Sequence, residues 1–268
     1  MDHKRIFIYH NNTYITAETV SKIAADLSAK GFKIVPQFDP DVDFIICVGG
    51  DGTLLRLLPD LGYPSVPIVG VNTGHVGFFQ EFETDGLDAL ADILAEKRFD
   101  VQRHRLIQAT VFVDGKTAGV HKAINDVTIR NNISRLSHFS VSIGGTFIER
   151  FSGDGLVVST PVGSTAYNYS LGGAIVDPRL NLLQVSPIAP MNAVAFRSFT
   201  SSLLLPPDLD VWVNPDAAFE KTAILALDGF EFTYENVSEI RVNLAKEEVS
   251  IVRSEGFDFW AKVTSKFL

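Results

Sequence analysis

Phe44-Ile45-Ile46-Cys47-Val48-Gly49-Gly50-Asp51-Gly52-Thr53 is the stretch on which the reading of this chain turns. Phe44 to Val48 is an apolar run rich in β-formers, which predicts a short buried strand. Glycines at 49, 50 and 52 end that strand and allow backbone conformations closed to other residues. Leu54, Leu55, Leu57 and Leu58 then predict a helix, with Thr53 near its start. A strand, a glycine turn and a helix N-terminus together aim backbone N–H groups and the positive end of a dipole at a place where an anion can sit. Asp51 is a carboxylate inside that cationic turn. Such a group is unfavourable beside an anion unless it has a task, such as taking a proton or holding a cation. The plainer alternative is a tight loop in which Asp51 serves as a helix N-cap.

The flanking sequence extends this pattern. Ile6 to Tyr9 predicts a first strand, and Val20, Ile23, Ala24 and Leu27 recur at the spacing of an amphipathic helix that ends near Gly31. Phe32 to Val35 predicts a short strand. Val66 to Val71 predicts another, running into Asn72-Thr73-Gly74-His75-Val76-Gly77-Phe78, and Leu87, Leu90, Ala91 and Leu94 mark a further helix. Strands alternating with helices imply an α/β, doubly wound domain over residues 1–100, whose ligands sit beyond the carboxyl ends of its strands. Both glycine-bearing turns, at Gly49 and Gly74, fall at such ends.

From residue 101 to 268 the helical stripes vanish and short β-rich runs are separated by turn residues. Asp114-Gly115 and Gly144-Gly145 read as hairpin turns between them. Further strands are expected at Leu203 to Leu205, Val211 to Val213, Ala223 to Leu227, Ile240 to Leu244 and Val249 to Val252. This predicts a mostly β, sandwich-like C-terminal domain, with the last residues packing back on the first domain.

Composition narrows the function. At 268 residues, 46% hydrophobic and 21% charged, the chain has the make-up of a globular protein with a sizeable core. A net charge of −9 argues against nucleic acid as a partner but leaves room for a small phosphorylated ligand held by backbone amides. The apolar run after Lys4 and Arg5 is too short for a signal peptide, and no window is long enough to span a bilayer. The single Cys47, inside an apolar strand, reads as a buried inert thiol in a reducing, cytoplasmic setting. Two nucleotide signatures are missing. Thr110 stands where a Walker loop ending at Gly115-Lys116-Thr117 needs glycine, and no G-x-G-x-x-G follows the first strand.

A second polar cluster follows. Gly153-Asp154-Gly155 precedes a predicted strand, Leu156 to Ser159, and then comes Thr160-Pro161-Val162-Gly163-Ser164-Thr165-Ala166-Tyr167-Asn168-Tyr169-Ser170-Leu171-Gly172-Gly173-Ala174. Its glycines permit close backbone approach, Ser164 suits the cap of a short helix, and Tyr167 can stack on a base. A polar surface loop beside a structural helix is the plainer alternative.

Gly49-Gly50-Asp51-Gly52-Thr53, Asn125-Asp126, Gly153-Asp154-Gly155 with Ser159-Thr160-Pro161, and Gly163-Ser164-Thr165-Ala166-Tyr167 occur in the order in which the NAD kinase family carries them. Asn72 to Phe78 and the isolated Asp228-Gly229 fit the same pattern. The chain thus resembles NAD kinases over residues 44 to 230. The GGDG turn alone is shared with lipid kinases and phosphofructokinases; the block from Ser159 to Tyr167 is the more specific part.

The resemblance implies transfer of a phosphoryl group from ATP, or polyphosphate, to the 2′-hydroxyl of the adenosine ribose of NAD, giving NADP. It implies Asp51 as general base, Gly49, Gly50, Gly52 and Thr53 as the turn holding the phosphates, Gly74 as a further nucleotide-binding position, and Phe78 as part of the dinucleotide pocket. Asn125 and Asp126 would take the ribose and adenine side of NAD. Tyr167 would pack on the adenine, Thr165 and Ala166 would line its edge, and Asp154, Ser159, Ser170 and Asp228 would help fix the dinucleotide. It also implies a divalent metal, Mg²⁺ or Mn²⁺, arriving with ATP rather than held in a protein cage, and a homodimer or homotetramer in which Asp154 reaches a neighbouring subunit. His75 can reach ligand phosphates or make a structural hydrogen bond. Two positions depart from the family: Asp126 is one methylene shorter than the usual Glu, and Val162 replaces a hydroxyl-bearing residue. The alternatives are a lipid or sugar kinase sharing the GGDG turn, and a dinucleotide sensor without catalysis.

Overall fold

Parallel strands threaded by amphipathic helices build the first part of the chain. The structure is a computed structural model describing residues 4–11, 14–74, 77–84, 87–131, 136–192, 197–216 and 222–267. β1 (Arg5–His10) leads into α1 (Tyr14–Ala29), followed by β2 (Lys33–Val35), β3 (Phe44–Val48), α2 (Asp51–Asp60), β4 (Ile68–Asn72), β5 (Phe82–Glu83) and α3 (Leu87–Glu96). β2, β1, β3 and β4 lie side by side and all parallel. β3 and β4 are buried along their whole length, which is why each reads as an unbroken apolar run. Phe44, Ile46 and Val48 share a core with Ile23 and Leu27 of α1 and Leu90 and Leu94 of α3. Ile45 and Cys47 point to the opposite face and are equally buried, and α2 packs against β3 with Leu54, Leu57 and Leu58 buried.

The rest is dominated by strands: β6 (Phe99–Val113), β7 (Lys116–Ala123), β8 (Asp126–Arg130), β9 (Ser137–Ile143), β10 (Thr146–Gly153) and β11 (Gly155–Ser159). A 3₁₀ turn at Val162–Thr165 and a one-turn helix, α4 (Tyr167–Ser170), come next. Then follow β12 (Leu183–Ile188), β13 (Leu203–Leu205), β14 (Val211–Pro215), β15 (Ala223–Leu227), β16 (Phe230–Tyr234) and β17 (Val237–Ser254), and α5 (Phe259–Phe267) ends the chain. The Asp114-Gly115 and Asp228-Gly229 turns have positive φ at both residues, 49° and 73° in the first and 50° and 89° in the second. That geometry matches the twist of the strands each one joins.

These elements form two units, Met1–His104 with Glu247–Leu268, and Arg105–Lys246. The first is the α/β unit. The end of β17 adds to its sheet, pairing parallel with β4 through Ile251 and Ile68. The second unit is mostly β. Its first sheet runs β10, β9, β14, β17, with β6 beside β17 and β7 beside β6. Its second is a six-stranded antiparallel sheet in the order β13-β12-β11-β8-β15-β16. Phe139, Val141, Val211 and Ile240 of the first sheet and Val127, Ile129, Leu156 and Leu225 of the second fill one core.

Several elements differ from the sequence expectation. β17 is one strand where two were expected, because Lys246, Glu247 and Glu248 resemble a turn in sequence but are solvent-exposed strand residues. β12 was not anticipated, and neither was α5, whose short apolar stripe buries Phe259 and Val263. Asp258 Oδ1 accepts the Trp260 N–H at 2.8 Å at the start of that helix. No helix among the described residues is long and apolar enough to cross a membrane.

Candidate active site

In the α/β unit the glycine turn sits at the carboxyl end of β3. Gly49 donates its N–H to Val71 O at 2.9 Å, so the turn is tied to the end of β4. Gly50 is the N-cap of α2, and Asp51 is the first helical residue rather than the cap. The Asp51 carboxylate turns instead to the loop after β4. Its Oδ2 accepts the Phe78 N–H at 2.8 Å and its Oδ1 the Phe79 N–H at 3.1 Å. Gly77 lies so close beneath that a Cβ there would stand 2.1 Å from Asp51 Oδ1. Gln80 Nε2 donates to Gly50 O at 3.0 Å, joining loop and turn a second time. Gly74 N–H donates to Asn72 Oδ1 at 3.2 Å, and Asn72 Nδ2 donates to Gly74 O at 3.0 Å.

Three cations, Arg253, Lys262 and Lys266, close on this loop. Arg253 Nη1 donates to Phe78 O at 3.0 Å, and Lys262 Nζ to Gln80 O at 2.5 Å. Lys266 Nζ stands 3.9 Å from Asp51 Oδ2 and 4.6 Å above the Phe78 ring, which also meets the rings of Phe259 and Phe267. A cleft of about 640 Å³ opens beside the turn. Tyr9, His10 and Asn11 line it from the end of β1, and Gly50, Gly52, Thr53 and Arg56 line it from the turn and the first turns of α2.

In the β unit the second cluster is built by strand register. Asp126 pairs with Ser159 across β8 and β11, on the face turned away from the sandwich core, while Val127 and Val158 point into the core. Asp228 follows Leu227, the partner of Val127 in β15, and so arrives beside Asp126. Its carboxylate accepts the N–H groups of Ile124 at 2.7 Å and Asn125 at 2.9 Å, and that of Asp126 as well. Asp126 is buried and Asp228 partly so. Desolvation first, and then the charge of Asp228, raise the pKa of Asp126 to about 7. Desolvation raises Asp228 to about 6, with the three backbone N–H groups working against it.

The loop after β11 closes over Asn125. Thr160 N–H donates to Asn125 O at 2.9 Å and Thr160 Oγ1 to Ile124 O at 2.7 Å. A Cβ at Gly163 would stand 2.0 Å from Asn125 O, so only glycine admits this approach. The Ser159 hydroxyl is fully buried and donates to Thr160 O at 2.9 Å. Ser164 does not cap α4: it donates to Pro161 O at 2.6 Å and accepts the Val176 N–H at 2.9 Å, while Ala166 occupies the cap position. Tyr167 leaves this rigid base 40% exposed.

The structure thus brings Gly49, Gly50, Asp51, Gly52, Thr53, Gly74 and Phe78 together in the α/β unit. Asn125, Asp126, Ser159 and Asp228 come together in the β unit, with Thr165, Ala166, Tyr167 and the exposed Ser170 on the adjoining turns. Asp154 is apart from them. It precedes Gly155 at one end of β11 while Ser159 closes the other, about 15–17 Å away at strand rise. His75 lies outside the described residues. Phe79, Gln80, Arg253 and Lys262 were not singled out from sequence, because their main-chain and long-range bonds leave no local motif.

Comparison with known proteins decides what this arrangement belongs to. Residues 7–99 match the ATP-NAD kinase N-terminal domain and residues 124–254 the ATP-NAD kinase C-terminal domain. The chain belongs to the ATP-NAD kinase family. It is a phosphotransferase with NAD as acceptor. An NAD kinase from Finegoldia magna is 33% identical over 268 residues, covering 99% of this chain and 98% of that protein. One from Lactococcus lactis subsp. lactis is 34% identical over 269 residues, covering 99% and 97%. Among solved structures, yeast NADH kinase complexed with NADH superposes with a TM-score of 0.84 at 21% identity, covering 99% of this chain and 87% of that one. An NAD kinase from Archaeoglobus fulgidus in complex with ATP gives 0.75 at 24% identity, covering 98% and 97%. At those identities the two solved structures speak to the fold.

Proposed function

We propose that this chain transfers the γ-phosphoryl group of ATP to the 2′-hydroxyl of the adenosine ribose of NAD, with Asp51 as general base. The observation that carries this reading is the pair of N–H groups, from Phe78 and Phe79, that hold the Asp51 carboxylate at the first turn of α2. A carboxylate oxygen accepts more than one hydrogen bond, so each retains capacity for a substrate hydroxyl. Phosphoryl transfer depends mainly on positioning and charge neutralisation. Asp51 takes the proton of the 2′-hydroxyl, the ribose 2′-oxygen bonds to the γ-phosphorus, the bond from that phosphorus to the β–γ bridging oxygen breaks, and ADP leaves.

Gly49, Gly50, Gly52 and Thr53 offer the N-terminus of α2 to the phosphates. The cleft beside them takes the donor, with Arg56 and His10 at its walls. Gly74 and Phe78 line the acceptor side. A Mg²⁺ or Mn²⁺ ion carried on the ATP phosphates would neutralise charge there.

In the β unit, Asn125 and Asp126 recognise the ribose and adenine side of NAD, and Asp228 and Ser159 hold their backbone. Tyr167 stacks on the adenine, with Thr165, Ala166 and Ser170 around it. Asp154, remote from this cluster, suits a contact to NAD in a neighbouring subunit of a homodimer or homotetramer. We take the domains to divide near residue 100, the last residues joining the first. The buried free Cys47 fits a cytoplasmic enzyme.

Asp51→Asn tests the reading. NADP formation is expected to fall by at least about a hundredfold while NAD affinity, by calorimetry, changes by less than about threefold. Turnover near the wild-type rate would overturn it.

A further inference from the structure

Asp51 is held by main-chain donors, and main chain is only as fixed as whatever holds its other side. We propose that Arg253 is the positioning residue for Asp51, acting through the peptide group that joins Phe78 to Phe79; this rests on the reading of Asp51 as general base.

The Phe78 carbonyl and the Phe79 N–H belong to one planar peptide unit. Arg253 Nη1 donates to that carbonyl at 3.0 Å, and that N–H donates to Asp51 Oδ1 at 3.1 Å. A cation on the oxygen of a peptide strengthens its N–H as a donor, so the guanidinium and the carboxylate are linked through a single polarised group. The same nitrogen also reaches Phe79 O at 3.3 Å. Rotation of the peptide that would carry the N–H away from Asp51 would therefore break a charge-assisted bond on its far side.

A plain structural ion pair accounts for this less well. Arg253 is 4% exposed, and Glu81 is the carboxylate at hand. Yet the guanidinium makes its shorter bonds to Phe78 O and to Gln102 Oε1, both at 3.0 Å, and stands 3.4 Å from Glu81 Oε2. Glu81 Oε1 is occupied by the Ser254 N–H, at 3.2 Å, and by the Ser254 hydroxyl. The fork is aimed at the loop, and the Phe257 ring packs 4.3 Å from its carbon. Lys262 acts in the same sense one residue further on. It donates to Gln80 O at 2.5 Å, and the Gln80 side chain bonds Gly50 O, the cap of the helix that begins with Asp51.

The test is Arg253→Lys, which keeps the charge but loses the planar fork, together with Arg253→Gln, each alone and combined with Asp51→Asn. Active sites are counted by NAD titration calorimetry, so that a loss of folded protein does not enter kcat. Each Arg253 variant is expected to lower kcat per site by about ten- to a hundredfold, with KM for NAD and ATP changing less than about threefold. The lysine variant should retain more turnover than the glutamine variant. In the Asp51→Asn background neither should lower the residual rate further. A kcat per site within about twofold of wild type, or the same fold-loss with Asn at 51 as with Asp, would overturn the proposal. Asp51→Asn turning over at the wild-type rate would instead sink the base assignment. Should neither Arg253 variant fold, Lys262→Met, at a partly exposed position, is expected to lower kcat about threefold at constant KM, an effect also absent with Asn at 51; an unchanged kcat there would overturn the proposal.

Discussion

The carboxylate of Asp228 accepts the backbone N–H of Asn125 at 2.9 Å, 103 residues earlier in the chain. The bond fixes the Asn125–Asp126 corner from the Asp228-Gly229 hairpin turn between β15 and β16. Asp228→Ala would leave the buried N–H groups of Ile124 and Asn125 without their acceptor. It is expected to cost about 2–3 kcal/mol in urea unfolding and to raise KM for NAD about tenfold. Asp228→Asn, which keeps one oxygen acceptor, should recover part of both. Equal stability of Asp228→Ala and wild type would contradict the accounting of these bonds.

Asp126 and Asp228 also set a pH dependence. Their pKa values in the folded protein, about 7 and about 6, lie above the value near 3.9 of an unfolded Asp. Between these limits the folded state binds more protons than the unfolded one, so stability falls as pH rises from about 4 to about 7 and is level above. Asp126→Asn keeps a polar side chain without the titration. Its melting temperature relative to wild type should therefore be higher at pH 7.5 than at pH 4.5. A constant difference between the two proteins would rule this out.

Two glycines should respond oppositely to a methyl group. A Cβ at Gly163 meets the Asn125 backbone at 2.0 Å, so Gly163→Ala is expected to lower stability and NAD affinity together. At Gly52 a Cβ meets nothing within 4 Å, and the residue lies in the first turn of α2. Gly52→Ala should therefore fold at least as well, gaining up to about 0.5–1 kcal/mol of helix stability. It should nevertheless raise KM for ATP if the turn carries phosphates. Thermal melts beside steady-state kinetics separate the two outcomes.

Arg56 lines the cleft beside the turn with its side chain largely in solvent. Arg56→Gln is expected to raise KM for ATP by about tenfold at low salt, and less at high salt, while KM for NAD stays within about twofold. An effect on NAD alone would assign the cleft to the acceptor.

Much of this was legible before any coordinates. β3, the turn and the start of α2 follow from residues 44–58 because strand propensity, glycine backbone freedom and a leucine stripe all act locally. The Asp114-Gly115 and Gly144-Gly145 hairpins are local in the same sense, and both have the expected positive φ. Polar residues at strand ends, from Asn125-Asp126 to Tyr167, also stood out as a group. Their burial did not. That Asp126 faces Ser159 and sits against Asp228 follows from the register of β8, β11 and β15, and a shift of one residue would have turned Asp126 into the sandwich core. The distance of Asp154 from Ser159 likewise follows from the length of β11 and from nothing in the motif itself.

By itself, then, the sequence determined the strand–turn–helix that carries Asp51, the α/β-then-β order of the chain and the residue types gathered at each cluster. These rest on backbone preferences and side-chain periodicity, which act within a few residues. Only the tertiary structure decided which groups hold Asp51. Arg253 reaches Phe78 across 175 residues because a buried guanidinium must find acceptors in space, and burial selects them by geometry, leaving no trace in neighbouring positions of the chain.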